Sequence, residues 1–244
     1  MAGKQDGGQA LRPTAAVSTS NHWGDPMFDD FDGAFYERHM PHYQPAEAEF
    51  HVMFRLYRSL PIEAIEQMQA ERTKLEKEFI EAKREGRKLD GRDFHAAYFA
   101  KFDKLLSGAT TEPTWLGVDK VAEIVREAIH FRDEKEYDLF AYTIMPNHVH
   151  MIMQLLGGNE TKKDPKPLFR ILQSLKRNTA LACNRALGRS GAFWQDESYD
   201  HVIVDGDELA RTMWYILENP VKAGLVKNWK EWQWSYVKVG LIDE

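Results

Sequence analysis

"TIMPNHVHMIMQLL", residues 143–156, carries two histidines two places apart in a run that otherwise reads as buried strand. Side chains alternate along a strand, so residues i and i+2 share a face. In 148–156 one face takes Val149, Met151, Met153 and Leu155, and the other takes His148, His150, Ile152 and Gln154. The preceding "YDLFAYTI" (137–144) is also strand-like, and Pro146 and Asn147 between the two runs are turn formers. The stretch reads as a short hairpin whose second strand projects both imidazoles from one side. At that spacing the Cα atoms lie roughly 6.5–7 Å apart, so the rings can converge on one divalent ion. A bare His-x-His fits equally well with two half-exposed histidines on a sheet.

Working outward, "EFHVMFRLYR" (49–58) alternates, with Phe50, Val52, Phe54 and Leu56 on one side and His51, Met53 and Arg55 on the other. It predicts a half-buried strand that ends before Pro61. Residues 62–86 predict a charged helix with a sparse apolar stripe at Ile62, Ile65, Met68, Leu75 and Phe79. "LDGRD" (89–93) breaks it, and 94–106 predict a second helix. The stripe is too thin for a main core helix, so 62–106 reads as an inserted helical hairpin. Residues 118–131 predict an amphipathic helix, 167–187 a long basic helix, 198–205 a strand, and 206–218 a last helix that stops near Pro220. Without the insertion, the order is β-α-β-β-α-β and then α. That is the order of a ferredoxin-like α+β domain, an antiparallel sheet with helices on one face. Residues 1–45, rich in Gly, Ala, Ser, Asp and Pro, read as a mostly disordered arm, and 46–240 as the domain.

In the last helix, "DGDELARTMWYILENP", Asp205 and Glu208 suit a capping box. Leu209, Met213, Ile216 and Leu217 form its apolar stripe at 3.6-residue periodicity. Tyr215 falls outside that stripe, in a polar one, with Asn219 one turn on and Arg211 one turn back. A phenol there can act as a nucleophile on a phosphodiester. It equally suits a surface tyrosine covering its neighbours.

The chain has 244 residues, 43% of them hydrophobic, enough for a sizeable core. No run approaches the ~18 apolar residues of a membrane span, and the start lacks a signal-peptide pattern. A single cysteine, Cys183, excludes an internal disulfide and a Cys-based zinc site. A cytoplasmic protein is the expectation. The formal charge is −6, but it is uneven. Residues 161–190 hold eight basic residues and one acidic, for +7, and residues 1–50 hold three basic and eight acidic, for −5. The basic helix, with Arg170, Lys176, Arg177 and Arg185, is a candidate phosphate-contacting surface or a solvated face.

Taken together, "YTIMPNHVHMIM", "FWQDESYDHVI" and "WYILENPVKAGLV" resemble the REP-associated tyrosine transposases, single-tyrosine transposases of the HUH nuclease superfamily. The resemblance covers about residues 48–60 and 118–237. It implies a tyrosine-bearing helix laid over the open sheet face, with Tyr215 as nucleophile. It implies His148, His150 and Asn219 as ligands of Mg²⁺ or Mn²⁺. It also implies binding of single-stranded or hairpin DNA, cleavage through a 5′-phosphotyrosine link, and a nucleoid-associated location. Arg170, Lys176, Arg177, Arg185 and Arg211 are the expected DNA contacts. A domesticated hairpin-binding protein that no longer cuts is the alternative. The arm and the insertion exceed a compact pattern and leave monomer or homodimer open. In the tail, Trp229, Trp232, Trp234 and Tyr236 suit packing onto the domain better than base stacking.

Overall fold

The computed structural model describes residues 34–37, 41–44, 48–86, 99, 101–106, 113–156 and 166–242. Its centre is a five-stranded antiparallel sheet. The strands are β3 (Glu49–Leu56), β4 (Tyr137–Ile144), β5 (His148–Leu155), β6 (Trp194–Ile203) and β7 (Ser235–Val237), in the order β6-β3-β5-β4-β7. β5 is antiparallel to both β3 and β4, so those two run parallel with β5 between them. Two strands before the sheet, β1 (Ala34–Glu37) and β2 (Pro41–Gln44), pair antiparallel as a hairpin. The sequence reading placed no element there. The rest of 1–45 lies outside the described residues.

One face of the sheet carries the main core. Phe50, Val52, Phe54 and Leu56 of β3 and Val149, Met151, Met153 and Leu155 of β5 pack there against α3 (Asp119–His130) and α4 (Leu168–Ala186). The period-2 pattern of the strands and the 3.6-period stripes of the helices meet on this face, as expected from the sequence. Gly188, at φ +63°, ends α4 in a left-handed conformation that a residue without Cβ adopts at no steric cost.

The other face is not open. Phe140, Ala141, Ile152 and Ile203 pack under α5 (Gly206–Leu217) through Met213, Ile216 and Leu217. Met53 and Tyr199 pack against Leu60, Phe99 and Leu106. So β3, expected to be half-buried, is buried over nearly its whole length. The cover comes from residues between β3 and α3, the stretch the sequence predicts as an inserted hairpin. Its first helix, α1 (Ile62–Arg84), buries Met68 while Ile62 stays exposed. Its second part is helical at 101–106, termed α2 here. An ion pair between Lys101 and Glu71 links the two helices, and Arg55 of β3 lies over the Phe102 ring.

Three boundaries differ from expectation. β6 begins at Trp194 rather than 198, anchored by the Trp194 indole N–H donating to Thr179 Oγ1 of α4 at 2.9 Å. The last helix breaks at Glu218, and a separate turn, α6 (Asn219–Lys222), takes Pro220 at its start, where a missing N–H costs nothing. The tail adds β7 to the β4 edge, with Trp234 buried and the Trp232 indole N–H donating to the Ile144 carbonyl. These tail aromatics pack onto the domain.

Candidate active site and metal centre

β5 brings His148 and His150 to the face under α5 and α2, and both are fully buried, 0% exposed. Their Nε2 atoms lie 3.0 Å apart. The turn between β4 and β5 orients the first ring. Asn147 Nδ2 donates to the Leu106 carbonyl at 3.0 Å, which leaves Asn147 Oδ1 facing His148 Nδ1 at 2.6 Å. A carbonyl oxygen only accepts, so in the neutral ring Nδ1 carries the proton and Nε2 presents its lone pair. Burial, with the neighbouring His150, pushes the His148 pKa down to about 3. The ring is therefore neutral at physiological pH.

His150 is oriented from behind by His51 of β3, whose Nε2 lies 3.2 Å from His150 Nδ1. Burial holds His51 well below its ordinary pKa, and His150 and His201 act in the same direction. A ligating imidazole ordinarily uses its second nitrogen in such a bond. Asp103 of α2 closes the group. Its Oδ1 is 2.9 Å from His150 Nε2 and 3.5 Å from His148 Nε2. Burial pushes the Asp103 carboxyl up, but the two histidines and a hydrogen bond from Tyr215 outweigh it and hold the group well below the usual range. Two imidazoles and an ionised carboxylate make a donor set that can hold a divalent metal ion.

Tyr215 projects from α5 toward this group, and its hydroxyl donates to Asp103 Oδ2. Burial raises the phenol pKa far above its ordinary value, and the Asp103 charge and hydrogen bond raise it further. Lys222 of α6 places its ammonium 4.4 Å from the Tyr215 ring centroid. Phe99 stands beside the site, with its ring 4.8 Å from His51 and 4.3 Å from Tyr199. Asn219 begins α6 and is buried, and its amide nitrogen has no hydrogen-bond partner among the described residues.

Of the residues expected from the sequence, the structure brings together Tyr215, His148 and His150. The expected basic contacts divide. Arg211 is exposed on α5. Arg170, Arg177 and Arg185 are exposed on α4, which packs on the opposite face of the sheet from Tyr215. Lys176 is half-buried and donates to the Asp196 carbonyl at 2.7 Å and to Ser198 Oγ at 3.0 Å, tying α4 to β6. His201 Nε2 lies 2.8 Å from Glu208 Oε1, which ties β6 to α5. The Asp205 cap forms, while Glu208 reaches back to the Val204 N–H. Sequence reasoning missed Asp103, Asn147, His51 and Lys222. Only His51 carried a usable signal, since alternation already put it on the face of the histidine pair.

The chain is similar to several known proteins. The chain is 32% identical over 107 residues to a putative REP-associated tyrosine transposase of Haemophilus influenzae, covering 41% of this chain and 58% of that one. It is 26% identical over 114 residues to a REP-associated tyrosine transposase of Escherichia coli, covering 46% and 62%. The chain thus spans about three fifths of the length of these curated relatives. A solved REP-associated tyrosine transposase bound to a REP hairpin superposes with a TM-score of 0.47 at 16% identity, covering 83% of this chain and 81% of that one. No family model matches the chain. Its curated homologues carry the name REP-associated tyrosine transposase.

Proposed function

We propose that the protein is a single-strand DNA endonuclease and strand transferase, a transposase acting on hairpin-forming repetitive DNA. The observation that carries this reading is the convergence of a tyrosine hydroxyl and two imidazole Nε2 atoms on one buried carboxylate. The strand order β6-β3-β5-β4, with β5 between the parallel β3 and β4, supports the ferredoxin-like reading of the fold. In the reaction the Tyr215 oxygen bonds to phosphorus and the bond to the 3′-oxygen breaks. The phenol loses one proton and the departing 3′-oxygen gains one, leaving a 5′-phosphotyrosine and a free 3′-OH. His148 and His150, with Asn219, would hold Mg²⁺ or Mn²⁺. A bound divalent ion supplies positive charge for the non-bridging phosphate oxygens. Lys222, beside the Tyr215 ring, adds a cation on the nucleophile's side. Arg211, Arg170, Arg177 and Arg185 contact the backbone of the bound DNA, and the protein works on the nucleoid.

The test is incubation with labelled single-stranded hairpin DNA followed by denaturing electrophoresis. Wild type gives a denaturation-resistant adduct, and EDTA abolishes it. Tyr215→Phe keeps the ring and loses the adduct while hairpin binding stays within a few-fold. A Tyr215→Phe protein that still cleaves would remove the assignment. The full burial of both histidines favours a second reading, a hairpin-binding protein that does not cut. That reading expects retained binding with no adduct from wild type at any Mn²⁺ concentration.

A further inference from the structure

We propose that Asp103, delivered by the inserted segment, is a ligand of the metal centre through Oδ1 and fixes the Tyr215 hydroxyl through Oδ2. The proposal deepens the nuclease reading and rests on it. The first argument is spacing. An ion with bonds of about 2.1 Å, set about 90–110° apart, needs ligand atoms roughly 3.0–3.4 Å from one another. The three separations among His148 Nε2, His150 Nε2 and Asp103 Oδ1 are 3.0, 2.9 and 3.5 Å. They match one face of a single coordination sphere.

The second argument is the lone-pair inventory. His148 Nε2 is bare because Nδ1 carries the ring proton and donates it to Asn147 Oδ1, and His150 Nδ1 is occupied by His51 Nε2 at 3.2 Å, which leaves His150 Nε2 to face the group. His150 Nε2 lies 3.0 Å from the bare His148 Nε2 and 2.9 Å from Asp103 Oδ1, so a proton on it serves two acceptors, and a divalent cation set among the three atoms takes that proton's place. The ionised carboxylate beside them supplies the charge that attracts the cation.

The third argument is that α2 is tied in at several points. Leu106 accepts from Asn147, Phe99 and Leu106 pack with Met53 and Tyr199, and Arg55 lies over Phe102. A divalent ion held by His148, His150 and Asp103 would still have room for a phosphate oxygen and water. The insertion is then a working part of the site, and one carboxylate couples the metal centre to the nucleophile.

The experiment is Mn²⁺ titration of the full chain without DNA, with free Mn²⁺ read by electron paramagnetic resonance, beside adduct formation by the same proteins. Asp103→Ala is expected to weaken Mn²⁺ binding at least tenfold and lower adduct formation at least a hundredfold. Asp103→Glu, which keeps a carboxylate, recovers part of the affinity and separates ligation from folding. Asp103→Ala with wild-type Mn²⁺ affinity would overturn the proposal, and a rise in adduct would identify Asp103 as a plug instead. Failure of the nuclease reading looks different. It appears as a wild type that binds Mn²⁺ and hairpin DNA but forms no adduct, whatever Asp103 does. A wild type that binds no Mn²⁺ overturns the proposal outright.

Discussion

Asn147 touches neither the nucleophile nor the carboxylate, yet the state of His148 depends on it. Its amide is oriented by the Leu106 carbonyl, and its oxygen then selects the His148 tautomer. Removing such a partner from a metal-binding imidazole typically costs about 10–100-fold in metal affinity. Asn147→Ala is therefore expected to weaken Mn²⁺ binding by that order while the fold persists, measured by the same resonance titration and by circular dichroism. Unchanged affinity would mean that the ring is oriented by β5 alone. The sequence marked Asn147 only as a turn former. Its second role depends on a carbonyl 41 residues away in the chain. Asp103 was less legible still, because its partner Tyr215 lies 112 residues on and no periodic pattern links them. By contrast His148, His150 and the Asp205 cap were readable, since strand alternation and capping act within a few residues.

Among the elements, the inserted segment and α4 carry opposite lessons. The thin stripe of 62–106 predicted no main core helix, and none of the segment's described residues belongs to the main core cluster. The segment covers a sheet face that would otherwise be wet, through the small cluster around Phe99. Phe99→Ala removes the ring that packs against His51 and Tyr199. A buried Phe→Ala change costs about 3–5 kcal/mol in a main core. Here the loss should fall on the segment rather than the sheet. The expected result is faster hydrogen exchange at 99–106, with β4 and β5 unchanged and adduct formation reduced. Uniform acceleration across the sheet would contradict the division into two clusters.

For α4, the charge count was visible in the sequence but the anchoring of Lys176 was not, because the Asp196 carbonyl and Ser198 that hold it come from β6. Neighbouring substitutions should then act differently. Lys176→Ala loses two hydrogen bonds and lowers the urea midpoint by the equivalent of roughly 1–2 kcal/mol. Arg177→Ala and Arg185→Ala leave that midpoint in place and flatten the salt dependence of hairpin binding by about 0.7–0.9 per lost phosphate contact. Coincident slopes would make α4 a solvated face only.

At the scale of the whole molecule, the buried titratable groups set both edges of the stability profile. His148 has a folded pKa of about 3 against an ordinary 6.5, and His51 is lowered as well, both first by burial. The unfolded chain therefore binds more protons below about 6.5, so stability falls as pH falls from there toward 3. Asp103, held below its ordinary 3.8, extends the loss on the same side. Tyr137, Tyr142 and Tyr199 are raised by burial, so their contribution is whole below the ordinary 10 and is lost as pH rises above it. A plateau between about pH 7 and 10 follows, with an acid edge that begins in the titration range of ordinary histidine rather than of carboxylates. Calorimetry in EDTA should record it as a fall of several degrees in Tm between pH 7 and 5, since 1 kcal/mol moves Tm by roughly 2–4 °C in a chain of this size. Saturating Mn²⁺ should raise Tm on the plateau and lose this effect as protons compete for the imidazoles. A Tm that stays level from pH 7 to 5 would show that His148 and His51 are solvated in the folded protein, and the sealed site would have to be given up.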